Sequence, residues 1–187
     1  MSALPRNWLL LTYRARRDPS RHRVSVWRQL KAAGGLYLQD SVCALPDTAE
    51  HRALFERLAV EVRDNDGQAL VLVAHGLADT DEHSVIERFN AERDRDYAEI
   101  TEQCAVLMDE FERERTRGRF TYAELEDTEG NLDRLRRWIE RVGDRDFFAS
   151  PGAAEAHAAL AACGQEHDRF TADVLAHSEI ADDDDRL

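Results

Sequence analysis

The sequence has few of the features that mark a secreted, membrane-spanning or metal-dependent protein. It contains three widely spaced cysteines and no CxxC pair, which favours reduced thiols over a disulfide framework. No apolar run approaches the ~20 residues that span a bilayer, and the beginning of the chain lacks the apolar segment of a signal peptide. Glycine-rich phosphate loops and the HExxH and GxSxG motifs are absent. We therefore predict no catalytic residues, no metal ligands and no cofactor, and we expect the protein in the cytoplasm.

Charge is distributed unevenly along the chain. The 187 residues carry a net charge of −13, which opposes general binding to nucleic acids or to anionic membranes. Residues 1–35 nevertheless contain eight bases and one acid, a local charge of +7 that leaves −20 for the remainder. Arginine holds phosphate and similar oxyanions through a planar fork of donors, so this stretch is the candidate ligand-binding site. The arginines assigned to it are Arg14, Arg16, Arg17, Arg21, Arg23 and Arg28.

Two sets of residues keep alternative interpretations. Runs of charge are more often solvated faces, so the arginines can instead pair with the protein's own carboxylates or with a second subunit. Cys163 and His167 share a helix face, and Cys104 falls on another helix, so a soft-metal or redox site is a second hypothesis. Their positions on apolar stripes favour core packing. Whether these three residues form a site stays open at this point.

The order of apolar patterns predicts an α+β protein. Its first half has the order strand, helix, two strands, helix, strand, which is the βαββαβ order of a ferredoxin-like fold. Residues 36–46 fit either one long bent strand or two strands that meet near Gln39–Ser41. In the first helix, Val24, Trp27 and Leu30 are predicted to face the core.

The second half is predicted to be helical. Apolar residues at steps of three or four indicate one long helix over 79–117 and a further helix over 131–142. A loop with the apolar pair Phe147–Phe148 precedes a last helix that ends near His177. We expect a ferredoxin-like subdomain over 1–78, a helical subdomain of about three main helices over 79–180, and an acidic tail over 181–187.

Several stretches resemble the N-terminal domain of the ChrB family of chromate-resistance proteins. They are the strand at Trp8, the "VWRQLK" helix, "LQDSVCALP", "FTYAELE" and "RDFF", and the resemblance covers about Asn7 to His177. It implies a chromate-responsive regulator of the expression of an efflux pump. The usual C-terminal domain of that family has no counterpart in these residues. The resemblance therefore implies a shortened or split member with a separate ChrB-like C-terminal partner, or a fragment of a longer protein.

The first eighty residues are also similar to the ferredoxin-like nucleases of CRISPR adaptation and to the dimerisation domain of phenylacetate-pathway repressors. Those nucleases carry a metal-binding Asp directly after the tyrosine of the first strand, whereas here Arg14 follows Tyr13. A guanidinium at that position argues against nuclease activity, and no helix-turn-helix segment is evident.

We therefore expect a homodimeric regulatory or sensor domain for chromate resistance. It would bind a chromate-like oxyanion, or the phosphates of DNA, through the arginine cluster, and would not bind a membrane. Two other classes stay open. One is an enzyme, either a thiol-dependent oxyanion reductase or a degenerate nuclease, and the other is a protein-interaction module.

Overall fold

The computed structural model describes residues 7–14 and 20–184, with the backbone alone for Ser20 and for residues 179–184. Its elements follow the order βαββαβ and continue as three helices. In chain order they are β1 (Trp8–Arg14), α1 (Ser20–Ala32), β2 (Leu36–Gln39), β3 (Val42–Pro46), α2 (Ala49–Asp64), β4 (Gln68–Ala74), α3 (Asp79–Arg117), α4 (Tyr122–Gly143) and α5 (Ala153–Asp184).

The four strands form one antiparallel sheet in the order β2-β3-β1-β4. This strand order, with the βαββαβ chain order, is the ferredoxin-like arrangement, so the predicted α+β class is confirmed. The alternative left open over 36–46 is resolved as two strands, because the chain turns at Asp40–Ser41. Ser41 has a φ of 69°, a left-handed conformation that ends β2 and reverses the chain.

The helices α1 and α2 cover one face of the sheet. Strand alternation directs Leu9, Leu11 and Tyr13 of β1 toward these helices, and all three side chains are buried. On α1 the side chains that join this core are Val26 and Leu30. The central strand is therefore enclosed by two neighbouring strands and by the apolar sides of two helices.

The predicted inward face of α1 is wrong at two of its three residues. Leu30 is buried, but Val24 is 37% and Trp27 is 48% exposed. The helix contains two apolar stripes that share Leu30, and the sheet accepts the one that begins at Val26. Because successive helical residues are turned by about 100°, Trp27 projects to the side of the buried stripe. The result is an exposed tryptophan on a helix rich in arginine.

An aromatic cluster surrounds Trp8 of β1. The Trp8 ring stacks on Phe89 of α3 with the ring centroids 5.6 Å apart. The rings of the pair Phe147–Phe148 lie 6.0 and 5.5 Å from that of Phe89. This contact explains why the segment Arg145–Phe148 belongs to the first of two compact units, together with Met1–Asn90.

The second compact unit consists of Ala91–Asp144 and Ala149–Leu187. The long helix predicted over 79–117 is confirmed, and its apolar seam is buried from Tyr97 to Phe111. The core of the unit also contains Leu132, Leu135, Ile139, Val142, Cys163, Phe170 and Val174.

None of the helices in the described part of the chain combines the length and the apolar character that spanning a bilayer requires.

Two helices of the second unit are longer than the sequence indicates. α4 begins at Tyr122, because the side chain of Thr121 accepts a hydrogen bond from the backbone N–H of Glu124 and caps the helix. α5 continues to Asp184, past the predicted end near His177. The predicted segment 131–142 is thus the C-terminal half of α4, and the predicted last helix stops short of the C-terminal end of α5.

A glycine substitution in the first unit tests its close packing, and a second in α4 is the control. A Cβ at Gly35 would lie 2.5 Å from Sγ of Cys43 and 2.9 Å from the carbonyl oxygen of Leu30. We expect Gly35→Ala to lower the free energy of unfolding by about 1–3 kcal/mol. A Cβ at Gly130, inside α4, meets no neighbouring atom within 4 Å, so Gly130→Ala should raise it by up to about 1 kcal/mol. Urea unfolding followed by circular dichroism measures both changes, and equal effects of the two would contradict the packing described.

Candidate functional site

Four of the six predicted site arginines are in the described part of the chain, and all four side chains are exposed. One is the last residue of β1 and three lie on α1. They are Arg14, Arg21, Arg23 and Arg28, whereas Arg16 and Arg17 lie outside the described residues.

These arginines do not share one surface. Arg21 and Arg28 are seven residues apart, so they project from the same side of α1, away from its buried stripe. Arg23 lies on a different side of the helix, closer to the sheet. Arg14 follows the inward-facing Tyr13, so strand alternation directs it to the opposite face of the sheet. The cluster predicted from the sequence is therefore divided among three positions.

None of the four arginines forms an ion pair with another described residue. Elsewhere in the chain Arg52 pairs with Asp47 at 2.6 Å, and Arg115 pairs with Glu166 at 2.5 Å and Asp173 at 3.2 Å. The sequence of α1 contains no acidic residue that would compensate its own bases. This difference favours an external anion, rather than the protein's own carboxylates, as the partner of the α1 arginines.

A pair of tyrosine hydroxyls lies on the helix-covered face of the same sheet. The Oη atoms of Tyr13 and Tyr37 are 2.7 Å apart, and Tyr13 is only 9% exposed. The strand β3 separates their strands: Tyr37 is opposite Cys43, which is opposite Leu11, two residues before Tyr13. From α1, Nζ of Lys31 lies 5.6 Å from the centroid of the Tyr37 ring. The basic helix and the hydroxyl pair are thus neighbours.

The surroundings keep both phenols protonated at neutral pH. Burial raises the pKa of Tyr13, an effect that its hydrogen bond with Tyr37 and the charge of Arg23 partly offset. Burial also raises the pKa of Tyr37, and there the hydrogen bond with Tyr13 adds to the rise. Both hydroxyls are therefore available as hydrogen-bond donors.

Sequence reasoning missed this pair. The available signal was a tyrosine at an inward position of each of two short strands, "WLLLTYR" and "LYLQ". Tyr13 and Tyr37 belong to strands that are not adjacent, so only the sheet order reveals that their hydroxyls meet. Lys31 contributes to the local charge of residues 1–35 but is not among the arginines assigned to the site.

The three residues left open as a metal or redox site lie in the core of the second unit. Cys104 and Cys163 are buried, and Sγ of Cys163 donates to the carbonyl oxygen of Cys104 at 3.4 Å. Burial raises the pKa of both thiols, that of Cys163 to about 12. The ring of His167 is 6.3 Å from that of Phe111. In the described part of the chain, no group of three or more His, Cys, Asp or Glu side chains is arranged to hold a metal ion.

An ion-pair network on the second unit was also not predicted. Arg115 of α3 contacts two carboxylates of α5, and its guanidinium lowers the pKa of Glu166. An open groove of about 480 Å³ lies beside it. Its own carboxylates already neutralise the arginine, so the groove does not offer an anion a free cation. The groove is lined by Met108, Asp109, Glu112, Arg115, Thr116 and Glu166.

The fold and the uncompensated bases define an α+β protein with a ferredoxin-like unit, a helical unit and a basic surface on α1. The family described as "Protein ChrB, N-terminal" matches residues 23–180. The chain therefore belongs to this family, which relates it to chromate resistance. The match begins within α1, so it includes Arg23 and Arg28 but not β1. No curated protein matches the chain.

The burial of the two neighbouring thiols leads to a prediction about their reactivity. In the native protein, Cys104 and Cys163 should react with a disulfide reagent such as dithionitrobenzoate more than about tenfold more slowly than in urea, because only the exposed thiolate attacks. The absorbance of the released thiolate follows the reaction. Fast labelling of both in the folded protein, together with loss of chromate reduction, would support a redox enzyme instead.

Proposed function

We propose that this chain is a regulatory or sensor domain for chromate resistance that binds an oxyanion through the bases of α1. One observation carries the proposal: Arg21, Arg23 and Arg28 are exposed on a helix without acids and have no ion pair to another described residue. Positive charges on one short helix repel one another, and a bound dianion relieves part of the repulsion. The relation of the family to chromate resistance makes chromate the first candidate ligand.

Nucleic-acid phosphate is the second candidate ligand, and Trp27 is the observation that favours it. An exposed aromatic ring among basic side chains is typical of surfaces that contact nucleic acid. The net charge of −13 opposes binding to duplex DNA, because the acidic remainder of the chain repels phosphate. We therefore rank the small oxyanion before DNA.

The thiols bear on both the compartment and the rival enzyme. All three cysteines are buried and none forms a disulfide within the described residues, which suits a reducing compartment, so we propose a cytoplasmic location. A thiol-dependent reductase needs an accessible thiolate, and burial disfavours the charged form of Cys104 and Cys163. The binding hypothesis does not depend on these residues.

Thermal unfolding in the presence of anions tests the oxyanion proposal. Sulfate, which is a redox-inert tetraoxyanion, and chromate should stabilise the protein by about 2.7 kcal/mol at a hundredfold excess over the dissociation constant. The stabilisation should fall as salt rises, because exposed charges are screened over about 8–10 Å. The double variant Arg21→Ala/Arg28→Ala should reduce the stabilisation, whereas Arg136→Ala, at an exposed arginine of α4, should not.

Thermal unfolding with a wider set of anions gives the result that would refute the proposal. If sulfate, chromate, phosphate and a short duplex DNA all leave the melting temperature unchanged, α1 is a solvated or subunit-facing surface. A shift produced by DNA alone would select the second candidate ligand.

We also propose that the protein is a homodimer, and the edge strand β4 supports this. Leu70, Leu72 and Val73 are exposed on a strand that carries no charged residue and no proline. Edge strands without such protection are prone to pair with another chain. If two copies pair in antiparallel fashion about a two-fold axis at Val71, Leu70 of each chain lies opposite Leu72 of the other. The paired strands are then apolar on both sides of this axis.

Sedimentation velocity tests this interface. The wild-type chain should sediment as a dimer, and Leu72→Lys should shift it toward monomer, because like charges meet near the axis. Val60→Lys is the matched control, since Val60 is an exposed apolar residue on α2, and it should leave the dimer intact. A wild-type monomer at tens of micromolar, or equal effects of the two variants, would rule out β4 as the interface.

A further inference from the structure

We infer that the hydroxyl pair of Tyr13 and Tyr37, together with Arg23 and Lys31, forms the donor set that contacts the oxyanion. The inference rests on the proposed function and assigns it to the strip between α1 and the β2 edge of the sheet. Of these four residues, only Arg23 belongs to the arginine cluster predicted from the sequence. The other arginines then attract the anion without touching it.

The hydroxyl pair has a donor to spare. Two phenols carry two O–H groups, and the 2.7 Å bond between Tyr13 and Tyr37 uses one of them. The second O–H has no acceptor among the described residues. An oxygen of a bound anion is an acceptor that suits this second O–H.

Positive charge lies over this pair. Arg23, Trp27 and Lys31 are spaced i, i+4 and i+8, so they form one stripe along α1. Nζ of Lys31 is 5.6 Å from the centre of the Tyr37 ring, and Arg23 is near enough to Tyr13 for its charge to favour the phenolate. The two cations therefore flank the hydroxyls, with the exposed Trp27 ring between them on the helix.

The chemistry of this set fits a small tetraoxyanion. Sulfate and chromate have four oxygens that only accept hydrogen bonds, which matches protonated phenols, a guanidinium and an ammonium group. The charged side chain that shifts the pKa of Tyr13 is the cation Arg23. The strip therefore offers hydrogen-bond donors and positive charge, which suit an anion and do not suit a metal cation.

Isothermal titration calorimetry of the full chain with sulfate and with chromate, at constant ionic strength, tests the inference. Tyr37→Phe removes one hydroxyl and keeps the ring, and Lys31→Gln removes one charge. Each should weaken the binding of both anions about tenfold or more. Tyr122→Phe is the matched control, because its hydroxyl is exposed on α4, and it should leave the affinity unchanged. The melting temperature without anion shows whether each variant is folded.

The outcomes separate the inference from the proposed function. Weaker binding in the Tyr37→Phe and Lys31→Gln proteins, with Tyr122→Phe unaffected, supports the inference. If Arg21→Ala and Arg28→Ala weaken binding while these two variants do not, the proposed function stands and the inference is overturned. If the wild-type chain binds neither anion, both are overturned. Should Tyr37→Phe fail to fold, Lys31→Gln decides alone, because Lys31 lies outside the buried core.

Discussion

Burial of the central strand β1 is the constraint on which the first unit depends. β1 pairs with β3 on one side and with β4 on the other, and Leu9, Leu11 and Tyr13 are buried under the two helices. Each such leucine contributes about 1.5–3 kcal/mol, so the register is strongly determined. Once the register is set, Tyr13 has to satisfy its hydroxyl inside the unit, and Tyr37 is its partner. The same register directs Arg14 to the other face. Packing therefore decides on which face of the sheet each residue of β1 lies.

Local charge explains how an acidic protein can offer an anion site. Screening limits the reach of exposed charges to about 8–10 Å, so the immediate neighbours of a group matter more than the net charge of −13. On α1 these neighbours are basic and no acid belongs to the helix. Arg115 of the second unit shows the opposite case, since Glu166 and Asp173 occupy its guanidinium. Arg115 and the arginines of α1 thus differ in the carboxylates that surround them.

Periodicity in the sequence predicts most of the fold, and non-local contacts account for what it misses. The long helix α3 was predicted with its observed bounds, because a continuous seam at steps of three or four leaves no alternative. The turn at Ser41 could not be chosen in advance, since a non-glycine residue gives little signal of a positive φ. The prediction that Trp27 faces the core is wrong, because α1 has two apolar stripes that share Leu30 and packing against the sheet buries only one of them. Tyr37 was missed because its partner lies two strands away.

Oxyanion binding at the α1 strip is the central claim, and a crystal structure with selenate tests it most directly. Selenate has the shape and charge of sulfate, and the anomalous scattering of selenium locates it without reference to the protein. We expect a selenium peak whose oxygens lie within hydrogen-bond distance, about 2.5–3.2 Å, of a hydroxyl of Tyr13 or Tyr37 and of Arg23 or Lys31. Selenium found only at other surfaces, with the hydroxyl pair unchanged and no anion beside α1, would contradict it.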